Sequence, residues 1–448
     1  MFFLERTRFW RRRILDRVGH NIMLLPEEMV TRNYLTDSLF NKPFPPGLLD
    51  KRASRPVSKP IAMELEEAFR KLFGFPYVVP VAQGRLAEAI LGKLLVRNGH
   101  VIPGSPLFPT TRTHQEFNGA TPVEVPVSHA LHHHDPDPFK GNLDLDLLEK
   151  TVKDHHAGWI PFICVEPCTN ATGGQPVSME NMRGIHRIAK ANRIPVYLDA
   201  TRLIENAFFI QIREPEFRGN SVWEIIQEFC SYADGCTMSA TKDYLTPIGG
   251  FFATRQHDLY EQSLDVVAGL GSGLAYESKR WLLAALTDQE RILQLVRERM
   301  DLVRLMHEGL QDSYSLVQPV GGHAVFLDMD DWHVYIPERF YTEGSFLHFL
   351  YEEYGIRGAE SPPSIKQEEL GIRLVRLAVP LIGETRISVQ ETVNDLLKAA
   401  QRKNQIGGLI KLSQPPGLTG PFRARFKPLN REELEAALRE AVTPLKEE

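Results

Sequence analysis

Apolar residues along the middle of the chain follow two alternating patterns. Helical spacing marks three segments, at 82–96, 178–192 and 222–229. Short and nearly continuous apolar runs, typical of strands buried on both faces, mark 159–165, 195–198, 234–238 and 249–253. Ser178 stands before the second helix and is a good N-cap residue. Strands that alternate with helices predict an α/β domain with a mostly parallel sheet and helices on both of its faces.

The C-terminal part of the chain follows a different order. A long helical stretch is predicted at 282–310, followed by strands at 324–329 and 371–379 and a terminal helix at 431–442. The 448 residues, 43% of them hydrophobic, are too many for one small core. We therefore predict three parts: an N-terminal arm at 1–45 that joins a small domain, a large domain at 46–290, and a linking helix with the smaller α+β domain at 291–448.

Composition and charge exclude several classes of partner. The formal net charge of −5 gives no general attraction to nucleic acid or to an anionic membrane. No run reaches the roughly 18 consecutive apolar residues that a membrane span needs. Four cysteines make no disulfide framework, which favours the cytoplasm, and Cys164 and Cys168 lack a second pair that would complete a metal site. We predict that the protein binds no nucleic acid, no membrane and no metal.

Chemically useful side chains follow the predicted strands. Asp199 ends one strand and Lys242 comes shortly after another, so both belong at the edge of the sheet where ligands bind. A lysine that forms a Schiff base, together with a carboxylate that keeps the ring nitrogen protonated, is what pyridoxal phosphate requires. Gln83, Gly84 and Arg85 open a helix, whose free N–H groups suit a phosphate. The sequence thus points to pyridoxal phosphate as cofactor.

Three more residues fit the same pocket. Ser239 precedes Lys242 by three residues and can offer its hydroxyl to the phosphate. Phe108 stands directly before the segment 109–112 and can stack on a flat ring. Asn170, in the loop after the strand that ends near Val165, is placed to donate to a ring hydroxyl.

The chain resembles a known family over nearly its whole length. The segments that carry the resemblance, in family order, are 173–179, 198–202, 232–239, 319–328 and 374–377. They resemble the β-eliminating lyases, the tryptophanase and tyrosine phenol-lyase family of fold-type-I enzymes that depend on pyridoxal phosphate. The resemblance implies a homodimer or homotetramer with shared active sites and an amino acid as substrate.

The resemblance also implies a role for each candidate residue. Lys242 resembles the lysine that holds the cofactor as a Schiff base and carries the substrate α-proton. The other cofactor contacts that it implies are Asp199 at the ring nitrogen, Arg202 and Asn170 near the ring hydroxyl, Phe108 on the ring face, and Gln83, Gly84, Arg85 and Ser239 around the phosphate. Arg376, with Thr36 and Ser38, is similar to the residues that bind the substrate α-carboxylate, a task that suits the planar fork of arginine.

The chain departs from the family pattern at positions that affect the reaction. No tyrosine stands between positions 48 and 63, where the family has the one that protonates the leaving group. Ser361 replaces the arginine that recognises a phenol, and Pro109 replaces the threonine beside the stacking phenylalanine. Leu39 and Pro247 replace residues of the family's monovalent-cation site, which we expect to be altered or lost. We therefore expect neither tyrosine nor tryptophan to be a good substrate.

Three functions remain open at this stage. The first is a lyase in which Lys242 removes the α-proton and the β-substituent then leaves. The second keeps the cofactor but ends in β-substitution, Cα–Cβ cleavage or aminotransfer, which the missing tyrosine motivates. The third is a cofactor-binding subunit without activity. Lys242 and Arg376 together argue against the third, since such a subunit needs no α-proton base.

Overall fold

The structure is a computed structural model that describes residues 2–38, 60–271 and 273–442. Its helices are α1 (Phe2–Arg17), α2 (Ile61–Phe73), α3 (Gly84–Leu95), α4 (Pro109–Phe117), α5 (Leu145–His155), α6 (Met179–Asn192), α7 (Leu203–Arg213), α8 (Val222–Ser231), α9 (Ala240–Asp243), α10 (His257–Leu270), α11 (Tyr276–Thr287), α12 (Gln289–Leu310), α13 (Thr342–Tyr354), α14 (Ile365–Leu370), α15 (Arg386–Ala400), α16 (Gly420–Arg423) and α17 (Arg431–Val442). Leu39 and most of the tyrosine-free stretch, 50–59, lie outside the described residues.

The strands form one large sheet and several small ones. They are β1 (Arg32–Asn33), β2 (Tyr77–Val81), β3 (Val101–Gly104), β4 (Thr121–Glu124), β5 (Ile163–Val165), β6 (Val196–Asp199), β7 (Gly235–Ser239), β8 (Gly250–Thr254), β9 (Ala324–Asp328), β10 (Ile356–Arg357), β11 (Ala359–Glu360), β12 (Leu374–Ala378), β13 (Gly408–Ser413) and β14 (Arg425–Leu429). The large sheet runs β2-β8-β7-β6-β5-β3-β4, and only β8 is antiparallel to its neighbours. The predicted mostly parallel α/β sheet is confirmed.

The direction of the strands gathers the candidate residues at one edge of the large sheet. Every strand except β8 ends at this edge, because β2 is antiparallel to β8 and therefore runs with the others. The segments that leave the strands there are 82–84 after β2, 105–108 after β3, 166–170 after β5, 200–202 after β6 and 240–242 after β7. Ligands bind beyond the carboxyl ends of strands in such sheets.

Two main hydrophobic cores hold the described residues together. One draws on buried residues from 65 to 296, with Leu381, and surrounds the large sheet. The other draws on 15–34 and 302–434 and packs around the antiparallel sheet β11-β12-β9. Helix α12 enters both, since Ile292 and Val296 belong to the first core and Val303 and Met306 to the second. The division at 45 and 290 stays a prediction, and these two cores support it.

Two sequence-based elements are wrong in their extent. The helix predicted at 282–310 is two helices, α11 and α12, that meet at Asp288. The hydroxyl of Thr287 donates to the carbonyls of Leu283 and Ala284, and such bonding back onto the preceding turn competes with the helix. The strand predicted at 159–165 covers only Ile163–Val165, because Pro161 has no N–H for a central ladder.

The N-terminal arm packs against its own chain. Arg8 and Arg12 of α1 both reach Glu352 of α13, with Nε–Oε1 distances of 3.1 Å and 2.5 Å. Strand β1 then pairs in parallel with β10, so the first part of the chain belongs to the second core. Among the described residues, no helix is both long enough and apolar enough to cross a membrane.

Candidate active site

Lys242 lies in a buried cluster with Asp37 and Arg202. Its Nζ donates to Oδ1 of Asp37 at 3.0 Å. Arg202 donates to the same carboxylate through Nε at 3.0 Å and NH2 at 3.2 Å. Burial, against the opposing effect of Asp37 and with a further contribution from Arg202, lowers the pKa of Lys242 to about 8. A lysine in this setting gives up its proton near neutral pH, as a proton carrier must.

Asp37 is fully buried, and two cationic partners, Arg202 and Lys242, balance its charge. Burial alone would raise the pKa of its carboxyl group, but Arg202 and Lys242 outweigh burial and hold the pKa well below its ordinary value. The carboxylate therefore stays ionised while it positions Lys242. Sequence reasoning named Thr36 and Ser38 and missed the residue between them, although an acid flanked by two small hydroxyl residues was a visible signal.

Asp199 ends β6 with one carboxylate oxygen left to accept. The backbone N–H and the hydroxyl of Thr201 both donate to Oδ1, at 3.3 Å and 2.7 Å. Within 2–38, 60–271 and 273–442, Oδ2 makes no hydrogen bond. Burial raises the pKa of this carboxyl group, so a cationic N–H donor nearby would favour its ionised form.

The start of α3 meets the end of β7 at very close range. A Cβ on Gly84 would lie 2.7 Å from Cβ and 2.8 Å from Cα of Ser239, so only glycine fits. Gln83 forms a parallel bridge with Gly249 on the other side of this contact. The Ser239 hydroxyl lies 3.0 Å from that of Thr241. The structure thus brings Gln83, Gly84 and Ser239 together around free N–H groups of a helix, as a phosphate site requires.

Replacing Gly84 by alanine is expected to weaken binding of pyridoxal phosphate by about tenfold or more. The new methyl group forces α3 away from Ser239, and overpacking of this kind costs about 1–3 kcal/mol. Fluorescence titration of the apoprotein with the cofactor measures the change. Gly269→Ala is the matched control, because a Cβ at that helical glycine of α10 meets nothing within 4 Å. Equal affinities of the Gly84→Ala variant and the unmodified protein would contradict the assignment of the phosphate site.

Asn170 and Arg376 meet across the two cores. Arg376 donates through NH1 to Oδ1 of Asn170 at 3.0 Å and through NH2 to the carbonyl of Leu35 at 3.3 Å. Arginine can only donate, so this contact fixes the amide oxygen of Asn170 toward Arg376 and leaves its NH₂ group as a donor for a ring hydroxyl. Burial lowers the pKa of Arg376 to about 10. A substrate carboxylate is the partner that such a buried guanidinium lacks.

The side chain of His323 lies next to the amide group of Asn170. The ring is fully buried, with Nε2 at 3.4 Å from Oδ1 of Asn170 and Nδ1 at 3.4 Å from Oε2 of Glu205. Burial first, and then Arg202, lower the pKa of His323 well below its ordinary value, so the ring is neutral. These contacts fit a residue that positions Asn170.

The remaining candidates differ in how closely the structure ties them to this cluster. The hydroxyl of Ser38 lies 2.8 Å from that of Thr241, one residue before Lys242. Phe108 precedes α4, and its N–H donates to Glu166 at 3.2 Å, in the loop that carries Asn170. Arg85 is exposed at the start of α3. The individual roles of these residues stay predictions.

A buried cluster of charged residues lies beneath the site and was not predicted from the sequence. Arg299 of α12 is fully buried and donates through NH2 to Asp243 at 2.8 Å and to Glu205. Asp243 follows Lys242 directly, so this group supports the lysine from the side of α9. The available signal was the position of Arg299 on the apolar face of its helix, in step with Ile292, Val296 and Val303.

The cluster fits pyridoxal phosphate on the observations above. The glycine-lined contact between α3 and Ser239 leaves N–H groups for a phosphate, and the free oxygen of Asp199 suits a protonated ring nitrogen. Lys242 offers an amine that can react with the aldehyde, and Asn170 keeps an NH₂ donor that suits a ring hydroxyl. These features together define a fold-type-I enzyme that depends on pyridoxal phosphate.

Similar proteins agree with this class. The sequence profile described as beta-eliminating lyase matches residues 58–401. The chain belongs to the β-eliminating lyase family, and it is therefore a lyase that depends on pyridoxal phosphate. Tyrosine phenol-lyase from Pasteurella multocida is 35% identical over 444 residues, which cover 94% of this chain and 95% of the relative. Tyrosine phenol-lyase from Nostoc punctiforme is 34% identical over 439 residues, with coverages of 94% and 93%.

Solved structures share the fold at low sequence identity. Threonine aldolase from Leishmania major has a TM-score of 0.60 and 14% identity, and covers 82% of this chain and 98% of its own. Serine palmitoyltransferase from Sphingomonas wittichii has a TM-score of 0.55 and 14% identity, with coverages of 77% for both chains. The predicted fold type is confirmed.

Proposed function

We propose that this lyase removes the α-proton of an amino acid and then eliminates its β-substituent, with a substrate other than tyrosine or tryptophan. The observation that carries the proposal is Lys242, a half-buried amine with its pKa lowered to about 8 beside the ionised Asp37. Such an amine can accept an α-proton, and Asp37 then faces the ammonium that forms. Bound pyridoxal phosphate would supply the electron-withdrawing ring that acidifies the α-hydrogen.

The other residues of the site have tasks that follow from their contacts. Arg376 holds the α-carboxylate with its planar fork, which fixes the α-carbon relative to Lys242. Asp199 keeps the ring nitrogen protonated through its free oxygen. Asn170 donates to the ring hydroxyl, since Arg376 and His323 occupy its amide oxygen.

The proposal that tyrosine is a poor substrate rests on the segment of Arg357 and Ser361, where the family recognises a phenol. Ser361 is buried, and its hydroxyl has no partner among the described residues. Arg357 cannot take over, because its guanidinium donates to the carbonyls of Leu25 and Met23 at 3.1 Å and 2.7 Å. A site that lacks a phenol-recognising donor binds a phenolic substrate poorly.

A panel of β-substituted amino acids tests the proposed reaction. Purified protein with pyridoxal phosphate is offered β-chloroalanine, O-acetylserine and S-methylcysteine beside tyrosine and tryptophan. We expect pyruvate and ammonia from at least one of the first three, since their leaving groups need little protonation, and far less from the last two. Failure of all three to give pyruvate, with cofactor demonstrably bound, would contradict β-elimination.

The same residues would serve a second outcome, in which a nucleophile adds after the β-substituent has left. The absence of a tyrosine between positions 48 and 63 favours this outcome, because the family uses that tyrosine to complete elimination. Mass spectrometry of the products, with added thiols as nucleophiles, separates the two reactions. A new carbon–sulfur bond supports substitution, and an altered carbon skeleton or an amino-group exchange supports Cα–Cβ cleavage or aminotransfer.

We propose that the working form is a homodimer or homotetramer in the cytoplasm. Met63, Leu270 and Tyr276 expose apolar surface on α2, α10 and α11, where a second copy could cover it. Arg85 is exposed at the phosphate site, so it is open to a neighbouring subunit. All four cysteines are free and buried, which suits a reducing compartment. Light scattering of the purified protein determines the number of subunits.

A further inference from the structure

Glu88 is a half-buried residue whose acid group the proposed reaction does not use. It lies on α3 one turn after Gly84. Its Oε1 accepts from the hydroxyls of Thr110 and Thr111 at 3.1 Å and 3.2 Å. Its Oε2 is sealed from solvent and has no partner among the residues described. A buried ionised oxygen without a donor is costly, whereas a protonated oxygen needs only an acceptor.

An acceptor lies across a small cavity from this oxygen. Glu88 and Asp199 line the same small space of about 10 Å³, together with Thr237, Gln115 and Cys164. A space of this size holds about one water molecule. The carboxyl group of Glu88 therefore faces the residue that serves the ring nitrogen, either directly or through a single water.

A third acid, Glu166, completes the group, and its contacts are different. Burial and the charge of Asp199 raise the pKa of Glu88 and of Glu166 to about 8. Three carboxylates this close in a dry site cannot all be ionised. Glu166 accepts an N–H on each oxygen, from Asn170 at 2.9 Å and Phe108 at 3.2 Å, which favours its ionised form. Glu88 has no such donor at Oε2.

None of the other titratable groups around Glu88 in the described part of the chain makes a hydrogen bond to its Oε2. Burial raises the pKa of the Cys164 thiol well above its ordinary value, so the thiol stays neutral. Burial lowers the pKa of His114, which lines the cavity, so its ring is neutral at physiological pH. Arg85 on the same helix lowers the pKa of Glu88, but less strongly than burial and Asp199 raise it.

We propose that Glu88 keeps a proton on Oε2 and gives it in a hydrogen bond, directly or through one water, to Asp199. Glu88 is thus a positioning residue that holds Asp199 as the ionised acceptor for the ring nitrogen. The role toward the cofactor rests on the proposed function, because it requires Asp199 to serve pyridoxal phosphate. The proton on Glu88 does not, since it follows from the protein alone.

Glutamine imitates a protonated glutamate, so Glu88→Gln and Glu88→Leu separate this proposal from a purely structural role. Glutamine can keep the acceptor for Thr110 and Thr111 and offers an N–H toward Asp199. We expect Glu88→Gln to bind pyridoxal phosphate within about threefold of the unmodified protein, and Glu88→Leu at least about tenfold more weakly. Glu88→Gln that binds as weakly as Glu88→Leu would overturn the proposal.

Infrared difference spectra of the cofactor-free protein locate the proton itself. We expect a C=O band of a protonated, buried carboxylic acid near neutral pH that Glu88→Gln removes and Glu166→Gln retains. A band that survives in Glu88→Gln and disappears in Glu166→Gln would place the proton on Glu166. Absence of any such band from the unmodified protein would equally overturn the proposal.

The pH dependence of unfolding gives a third measurement on the cofactor-free protein. The folded-state pKa of Glu88, about 8, lies above its unfolded value, so its contribution to stability is present at low pH and lost as pH rises toward about 8. The melting temperature of the unmodified protein should fall relative to Glu88→Gln between about pH 5 and pH 8, and then run parallel to it. A constant difference across this range would contradict a proton on Glu88. Failure of the unmodified protein itself to bind pyridoxal phosphate, with the infrared and melting results as expected, would instead contradict the proposed function.

Discussion

Lys242→Ala should fold and still bind pyridoxal phosphate, yet exchange the α-hydrogen of an amino acid about 10²–10⁴ times more slowly. The amine at 242 is the group placed to carry that proton, and no other lysine shares its contact with Asp37 among the described residues. Asp37 retains its two bonds from Arg202 in the variant, so no buried carboxylate is left without a partner. Incorporation of deuterium from D₂O into L-alanine, followed by NMR, measures the rate without requiring a leaving group.

Lys93→Ala is the matched control for this experiment. Lys93 is exposed on α3, the helix that begins at the phosphate site, and we expect its removal to leave the exchange rate unchanged. Borohydride reduction followed by mass spectrometry should attach the cofactor to residue 242 in the control and not in Lys242→Ala. Undiminished α-hydrogen exchange in Lys242→Ala would exclude this lysine as the base.

Arg299→Met should lower the free energy of unfolding by about 3–5 kcal/mol, the usual cost of removing one partner of a buried ion pair. Arg299, Glu205 and Asp243 are all shielded from solvent. Methionine fills similar volume but leaves two buried carboxylates without their cation. Burial already raises the pKa of Glu205 above its ordinary value and that of Asp243 to about 6. Urea denaturation monitored by circular dichroism measures the loss.

Arg304→Met on the same helix is the matched control. Arg304 pairs with Asp301 at 2.7 Å, but both side chains are about half exposed. Exposed pairs contribute about 0–1 kcal/mol, so the control should unfold close to the unmodified protein. Equal losses in the two variants would mean that the buried group contributes no more than a surface pair.

The sequence predicted those parts of the site that follow strands. Asp199, Ser239 and Lys242 come at or just after short apolar runs, and strands of one direction bring such positions to a common edge. Asn170 was placed in the site by its loop after a predicted strand and Arg376 by the resemblance, and the structure adds that they contact each other. The helix at Met179–Asn192 begins after Ser178, whose hydroxyl accepts from the N–H of Asn181 as the cap prediction requires.

Contacts between segments that are distant along the chain could not be predicted from the sequence. Asp37 and Lys242 are far apart along the chain, and no periodic pattern relates a residue of the N-terminal segment to the end of β7. Glu88 occupies an ordinary helical position, and only the packing of α3 against β6 and β7 shows that one of its oxygens lacks a donor. The interruption at Asp288 was missed because the apolar periodicity continues across it, while the cause is a hydroxyl group bonding to its own helix.

The pairing of β1 with β10 has a consequence for biosynthesis. Thr31 and Tyr34 donate their N–H groups to the carbonyls of Gly355 and Arg357, and the N–H of Ala378 donates to Tyr34. The peptide that delivers Asp37 is therefore anchored to a part of the chain that the ribosome makes late. A nascent chain that ends before Gly355 contains Lys242, but it lacks the backbone partners that hold the segment of Asp37 in position. We therefore expect the site to be completed only after residues 355–378 have been made, and partial translation products that lack them to be inactive.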